Sequence, residues 1–585
     1  MSKTGWVMVS FLMVALFQGG SIAWAQVLAD AKVQYPAPRF PSTAKLATSV
    51  DQLMPYARAL AQRKTTTRGT GFGTIKRGNA VMLIVGQSAD DMALEAIRRA
   101  LDERGVKTVI FREYELAGVS KDDMEALQTA RGGGGSDADS RDPYTPSRNG
   151  YTEATNWVRG IGGGNGAGMA WLKKQNPNLY SRAFPTPIRA NTELSPHLQE
   201  VAEKLTSVNV GQGAVKYMRE HPEVQGVFWG GAIAFQQRYL APMEDKMLGT
   251  MNYSTRVYLA NEVTTYPDDL WLLEEQLIME PFAFVDKVTS TDPEGTDISF
   301  DVSPEQAAKW ANGAYIRSHV LLYPDQVGGR YPYSFLDFPA QQKDWVPIEP
   351  RVRINGVIAG TQDHAGFYPR VEMHYKDGTM YEAKGGGLLG DVLREALKYP
   401  GINELTYPFM QMKGYWHLFE IATGTNPKYF RGVSEIDRSG IFHFGLGAEM
   451  VAEPGSTGYP KQFWAFADAN NLPRGHGWHI HNYFPTYKVK VRNTDRWITL
   501  VDKGHQTSLD AAEVRALASR YGDPDLLLAE EWVPEIPGIN APGRYEDYAK
   551  DPWAYANSVM QKVRAGTYEH FFPAAPGKQL AQTTK

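Results

Sequence analysis

Between Ala80 and Phe111 an apolar run, an amphipathic stretch and a second apolar run follow one another, and this order constrains the fold more than any other feature. Ala80-Val-Met-Leu-Ile-Val85 is short and apolar throughout, which predicts a strand buried on both faces. Residues 90–103 place Met92, Ala96, Ile97 and Ala100/Leu101 at helical spacing, so a helix with one apolar face is expected. Gly105 interrupts that pattern, and Val106-Lys-Thr-Val-Ile-Phe111 predicts a second strand. Strand, crossover helix and strand imply parallel neighbours and an α/β layer. Gly86 follows the first strand without a G-x-G-x-x-G, so the unit carries no dinucleotide fingerprint.

The rest of the chain divides by texture. Lys3, the apolar run 7–17 and Ala23-Trp-Ala25 read as a cleavable export signal over residues 1–25, the run being shorter than the ~20 residues of a bilayer span. A periplasmic or secreted protein with no membrane span is expected. The N-terminal α/β domain is expected over 26–285, with a further strand near 224–230 and a Gly-rich loop over 131–170. That loop lacks the G-K-[ST] of a phosphate loop. From about residue 283 strands and turns alternate, at 282–288, 297–302, 319–323, 352–359 and 368–375, which predicts a β-rich α+β domain over 286–520. Residues 521–585, with Pro534, Pro537 and Pro542, read as an extension wrapping the fold.

Nine of the twelve histidines lie between His364 and His570, and three fall in Arg474-Gly-His476-Gly-Trp-His479-Ile-His481. His479 and His481 share one side of any extended segment, because side chains at i and i+2 point the same way. Two neutral imidazoles side by side begin a transition-metal site. The chain has no cysteine, so burial alone holds it together, and metal ligands are restricted to His, carboxylate, Tyr and amide. A net charge of -4 without a long basic run argues against nucleic acid and anionic membranes as partners. The cupin pattern also uses H-x-H, but residues 482–487 lack its Glu.

Several motifs of the second half, in order, resemble one family. They are Thr291-Asp-Pro-Glu-Gly-Thr-Asp297, Phe338-Pro-Ala-Gln-Gln342 with Arg353-Ile-Asn-Gly356, Glu420-Ile-Ala-Thr-Gly-Thr-Asn426-Pro, Gly440-Ile-Phe-His443-Phe-Gly-Leu-Gly447 and His479-Ile-His481. The chain resembles, over roughly residues 50–505, the metallo-aminopeptidases of the aminopeptidase T type, whose scaffold the 2,5-dihydroxypyridine dioxygenases share. The resemblance implies metal ligands at Glu420, His443 and His479. Where the peptidases have a first Glu this chain has Gln342, and where they have an Asp it has His481. The ligand Tyr has no clean counterpart; Tyr459 is nearest. A homodimer is a further implication.

These departures bear on the chemistry. Two divalent ions a few ångströms apart repel, and bridging carboxylates offset the repulsion. Neutral Gln342 and His481 remove two of those charges, each worth kilocalories at short range. One divalent metal held by His443, His479, His481 and Glu420 is the expectation, Fe(II) first and zinc second. His364, Asp363 and His505 are the candidates for moving the substrate's proton. The one-metal set most resembles that of the ring-cleaving dioxygenases, and this resemblance implies an exported mononuclear Fe(II) dioxygenase acting on a small hydroxylated aromatic molecule. The alternatives are a metallo-aminopeptidase or other hydrolase using a metal-activated water, and a metal- or ligand-binding protein without turnover.

Overall fold

The computed structural model describes residues 35–41, 47–63, 71–87, 89–130, 146, 167–184, 194–230, 240, 243, 245–250, 253–304, 307, 315–316, 319–321, 352–363, 366–399, 402, 404–407, 412–430, 433, 438–447, 465–472 and 478–572. The export signal, most of the Gly-rich stretch, Gln342, His364, Tyr459 and His476 lie outside these residues. The fold is mixed α/β, with a small parallel sheet followed by large antiparallel ones.

After the two-residue strand β1 (Phe40–Pro41), the expected strand–helix–strand unit forms. All six residues of β2 (Ala80–Val85) are buried. Asp90 caps the helix Asp91–Glu103 by accepting from the Met92 amide at 2.8 Å, satisfying a donor the first helical turn leaves open. β3 (Lys107–Arg112) pairs with β2 in parallel. β4 (Val224–Trp229) lies on the other side of β2, and β5 (Met247–Thr250) beyond it, all parallel.

From Val285 the chain runs through β6 (Val285–Thr291), β7 (Asp297–Asp301), β8 (Tyr315–Ile316), β9 (His319–Leu321), β10 (Asn355–Asp363), β11 (Gly366–Lys376), β12 (Thr379–Gly385), β13 (Thr406–Tyr407), β14 (Met412–Lys413), β15 (Leu418–Gly424), β16 (Phe442–Leu446), β17 (Trp478–Asn482), β18 (Thr486–Val491), β19 (Trp497–Asp502), β20 (His505–Gln506) and β21 (Phe571–Phe572). An eight-stranded sheet has the order β12-β11-β10-β7-β6-β18-β19-β20, and a five-stranded sheet the order β17-β16-β15-β9-β8. β6 starts three residues later than the apolar run suggests. Glu280–Phe284 is a 3-10 helix with Pro281 in its first turn, where a missing amide costs nothing.

The two antiparallel sheets share one core. Ile358, Val371, Met373, Tyr487 and Val489 from the larger pack with Phe442, Phe444, Leu446, Trp478 and Ile480 from the smaller. β10 approaches β17 so closely that a Cβ on Gly360 would stand 2.8 Å from the His481 carbonyl oxygen. Asn482 Nδ2 donates to the Ala359 carbonyl at 2.7 Å across the same contact. Chain order and spatial order diverge in two places. Met169, Leu172, Leu179 and Ala183 join this second core, whereas Val514, Ala518 and Leu528 pack into the core of the N-terminal layer. Among the described residues no helix is long and apolar enough to cross a membrane.

Candidate functional site

The five-stranded sheet sorts its residues by alternation. In β16 Phe442, Phe444 and Leu446 go into the core, and in β17 Trp478 and Ile480 do the same. His443, Gly445, His479 and His481 are the intervening positions and fall on the opposite face. The antiparallel register then aligns them. Glu420, Gly445 and His479 form one row across β15, β16 and β17, and Ala422, His443 and His481 form the next. All four expected metal ligands therefore occupy one face of one sheet, in two adjacent rows. Facing residues in such rows have Cβ atoms about 4.5–5.5 Å apart and diagonal ones sit about 7–8 Å apart. Gly445, between Glu420 and His479, brings no side chain.

His481 is fully buried and His479 half-buried. Among the described residues no three His, Asp or Glu side chains are gathered as a metal cluster, and the side chains of Glu420 and His443 are outside that description. The donor set fits one divalent first-row transition ion such as iron or zinc, for which imidazole nitrogen is a natural ligand. It fits a pair of such ions poorly, because Glu420 is the one carboxylate among the four residues.

β9 adds a residue that the motif reading passed over. His319 is the register partner of Gly424, on the same face as Ala422 and Glu420 and two rows from Glu420. Its signal in the sequence was a lone histidine at the start of His319-Val-Leu-Leu-Tyr323, with nothing to give its neighbours across the sheet.

The expected proton-transfer groups are dispersed. Asp363 is fully buried at the end of β10, on the core side of β17, where its Oδ2 accepts from Trp478 Nε1 at 2.9 Å. The sheet itself separates it from the histidine face. His505 lies on edge strand β20, with Nδ1 2.7 Å from Glu530 and Nε2 2.9 Å from Asp510. Burial pulls its pKa down, but the two carboxylates outweigh that and raise it to about 9, so the ring is a structural cation. His364 lies outside the described residues. His417, at the foot of β15, presents its two ring nitrogens to the carbonyls of Gly378 and Gly414, at 2.8 and 2.9 Å. His374 sits 3.1 Å from Glu372.

The Gly-Thr-Asn-Pro stretch after β15 has a structural task. Thr425 Oγ1 donates to Glu275 at 3.0 Å and accepts from Trp271 Nε1 at 2.9 Å. Asn426 Oδ1 accepts from the Lys428 amide at 2.8 Å, which turns the chain away from the sheet. Glu274, next along the same helix Asp268–Met279, accepts from the Tyr266 hydroxyl at 2.5 Å. Burial raises the pKa of both glutamates well above the usual carboxylate range. These contacts fasten the end of the strand that carries Glu420.

No family model matches the sequence. No curated protein matches it either. Among solved structures the chain is similar to 2,5-dihydroxypyridine dioxygenase from Pseudomonas putida KT2440, at 10% identity and a TM-score of 0.36, over 79% of this chain and 98% of that one. It is also similar to wild-type AmpT from Thermus thermophilus, at 12% identity and a TM-score of 0.33, over 78% and 99%.

Proposed function

We propose that the protein is a metal-dependent enzyme built on the histidine face of the five-stranded sheet, and that it is a mononuclear Fe(II) dioxygenase for small hydroxylated aromatic substrates. The observation that carries the reading is the register, which puts Glu420, His443, His479 and His481 in two neighbouring rows of one face. Three imidazoles and one carboxylate would hold the ion and leave it a net positive charge, which favours a phenolate over a neutral amide as ligand. When bound, Fe(II) supplies the one-electron chemistry that O₂ requires. The chain's own part is to bind and orient. The buried His481 keeps water from one side of the site, and the half-buried His479 marks the side a substrate would approach. The substrate's hydroxyl proton needs an acceptor. Asp363 and His505 are engaged elsewhere, so His364 is the group to test.

Metal analysis of purified protein together with an oxygen electrode tests the reading. One iron per chain, and O₂ consumption with a subset of phenols, is the expected result. Two equivalents of zinc or cobalt per chain, with release of amino acids from peptide anilides and no O₂ requirement, would overturn it in favour of a hydrolase.

A further inference from the structure

The segment from Glu530 to Phe572 crosses the molecule as a strap. Its end is held by β1, which pairs in parallel with β21. Earlier, Arg39 and Val533 exchange backbone hydrogen bonds of 3.0 and 2.9 Å, and Asn540 Nδ2 donates to the Pro36 carbonyl at 2.9 Å. The middle of the strap rests on a turn of the antiparallel domain. Tyr545 donates to Glu294 Oε1 at 3.2 Å, and the Tyr548 hydroxyl lies 3.2 Å from Thr361 Oγ1, which itself donates to Glu294 Oε1 at 2.9 Å. The Arg370 amide donates to the Ala549 carbonyl at 2.8 Å.

Beneath the strap lie two carboxyls two residues apart. Asp292 is 6% exposed and Glu294 1%. Asp292 accepts from the amides of Glu294 and Phe484, at 2.8 and 2.9 Å. Glu294 Oε2 is buried and, among the described residues, has no hydrogen-bond partner. The nearby cation is committed to other oxygens: Arg370 donates through Nε to the Glu294 carbonyl and through Nη1 to Glu372 at 2.7 Å.

We propose that Asp292 and Glu294 form a pH-sensitive latch for the C-terminal strap, closed while the pair retains a proton and loosened when both carboxyls ionise. Tyr545 and, through Thr361, Tyr548 cover Glu294, so lifting the strap would hydrate a second charge formed there beside Asp292. Burial pushes Asp292 up to about 7, and burial together with the Asp292 charge pushes Glu294 up to about 8. The Thr361 and Tyr545 hydroxyls favour the ionised Glu294, and so does the Arg370 charge, but burial outweighs all three. The tyrosines facing the pair feel it in return. Tyr483, Tyr545 and Tyr548 are raised by burial and then by neighbouring charge, Glu294 and Asp292 included, and Tyr35 by burial and then by Asp292 and Asp502. Other charged contacts of the strap are Glu530 with His505 and Arg438, Glu531 with Lys428, and Glu535 with the Tyr555 hydroxyl.

The sign follows from linkage. A carboxyl whose pKa is raised by closure stabilises the closed state below its ordinary pKa, and that stability is lost as pH rises through the raised value. Hydrogen exchange across residues 545–572 from pH 6 to 9, corrected for intrinsic rates, tests the latch on the full chain. Strap protection should fall by up to about tenfold per pH unit between pH 7 and 8. Glu294→Gln should flatten that fall while leaving the His505-dependent change near pH 9 in place. Tyr545→Phe removes a donor to the ionised carboxylate and should move the window to higher pH. Strap protection that is flat with pH in the unmodified protein overturns the latch. So does a pH dependence that survives Glu294→Gln unchanged, or a window that Tyr545→Phe leaves in place or lowers.

Discussion

His443 and His481 are register partners across β16 and β17. They occupy the same row, two residues along from the row holding Glu420 and His479. If the row is a metal site, His443→Ala and His481→Ala should each reduce metal retention by more than the 10–100-fold typical of losing an outer partner of a ligand. His481→Asp should retain metal, since it exchanges one ligand type for another. Metal content by mass spectrometry after dialysis against a weak chelator checks both, and equal retention in all variants would refute the site.

Asp363 accepts from Trp478 Nε1 in a fully buried contact. Asp363→Ala leaves a buried indole donor without that acceptor and should cost roughly 1–3 kcal/mol in urea unfolding. Asp363→Asn keeps an acceptor oxygen and should recover most of it. Turnover that collapses in Asp363→Asn at unchanged stability would instead mark Asp363 as a proton-transfer group.

His505 bridges Glu530 and Asp510, and its pKa is raised to about 9. A raised histidine contributes stability that is fully present below its unfolded value near 6.5 and lost as pH rises through about 9. Thermal midpoints should therefore decline between pH 7 and 9.5. His505→Gln should start lower and lose that part of the slope. Matching slopes in the two proteins would show that the bridge does not set the pH response.

Gly440 has φ +78°, and a Cβ there would lie 2.2 Å from the Gly504 carbonyl oxygen. Gly440→Ala combines left-handed strain with a backbone clash and should cost about 2–5 kcal/mol. It precedes β16, so metal retention should fall with stability. A denaturant midpoint within error of the unmodified protein would show that the turn can relax.

The sequence was legible where one physical rule dominated. The run Ala80–Val85 could be little other than a buried parallel strand, since all six residues are apolar and a strand covered on both faces offers none of them a solvent-facing side. The alternation in Trp478–Asn482 likewise showed that the two imidazoles share a face. Positions that depend on an interruption were less legible. Pro281 delays β6, and the core near Phe442 recruits Met169 and Leu172 from far earlier in the chain.

For the site, the sequence by itself determined the donor inventory: no thiol, one H-x-H pair, and motifs carrying Glu420 and His443. Periodicity is local, however, and says nothing about which strand lies beside which. Only the tertiary structure decided that β15, β16 and β17 are neighbours in a register that aligns Glu420, His443, His479 and His481. It also decided that Asp363, on a strand of the larger sheet, lies against the core side of these strands and that His319 pairs with Gly424 on β15. Strand order and register are fixed by long-range burial of Phe442, Phe444, Trp478 and Ile480 against the larger sheet, a sum over contacts that no single segment contains.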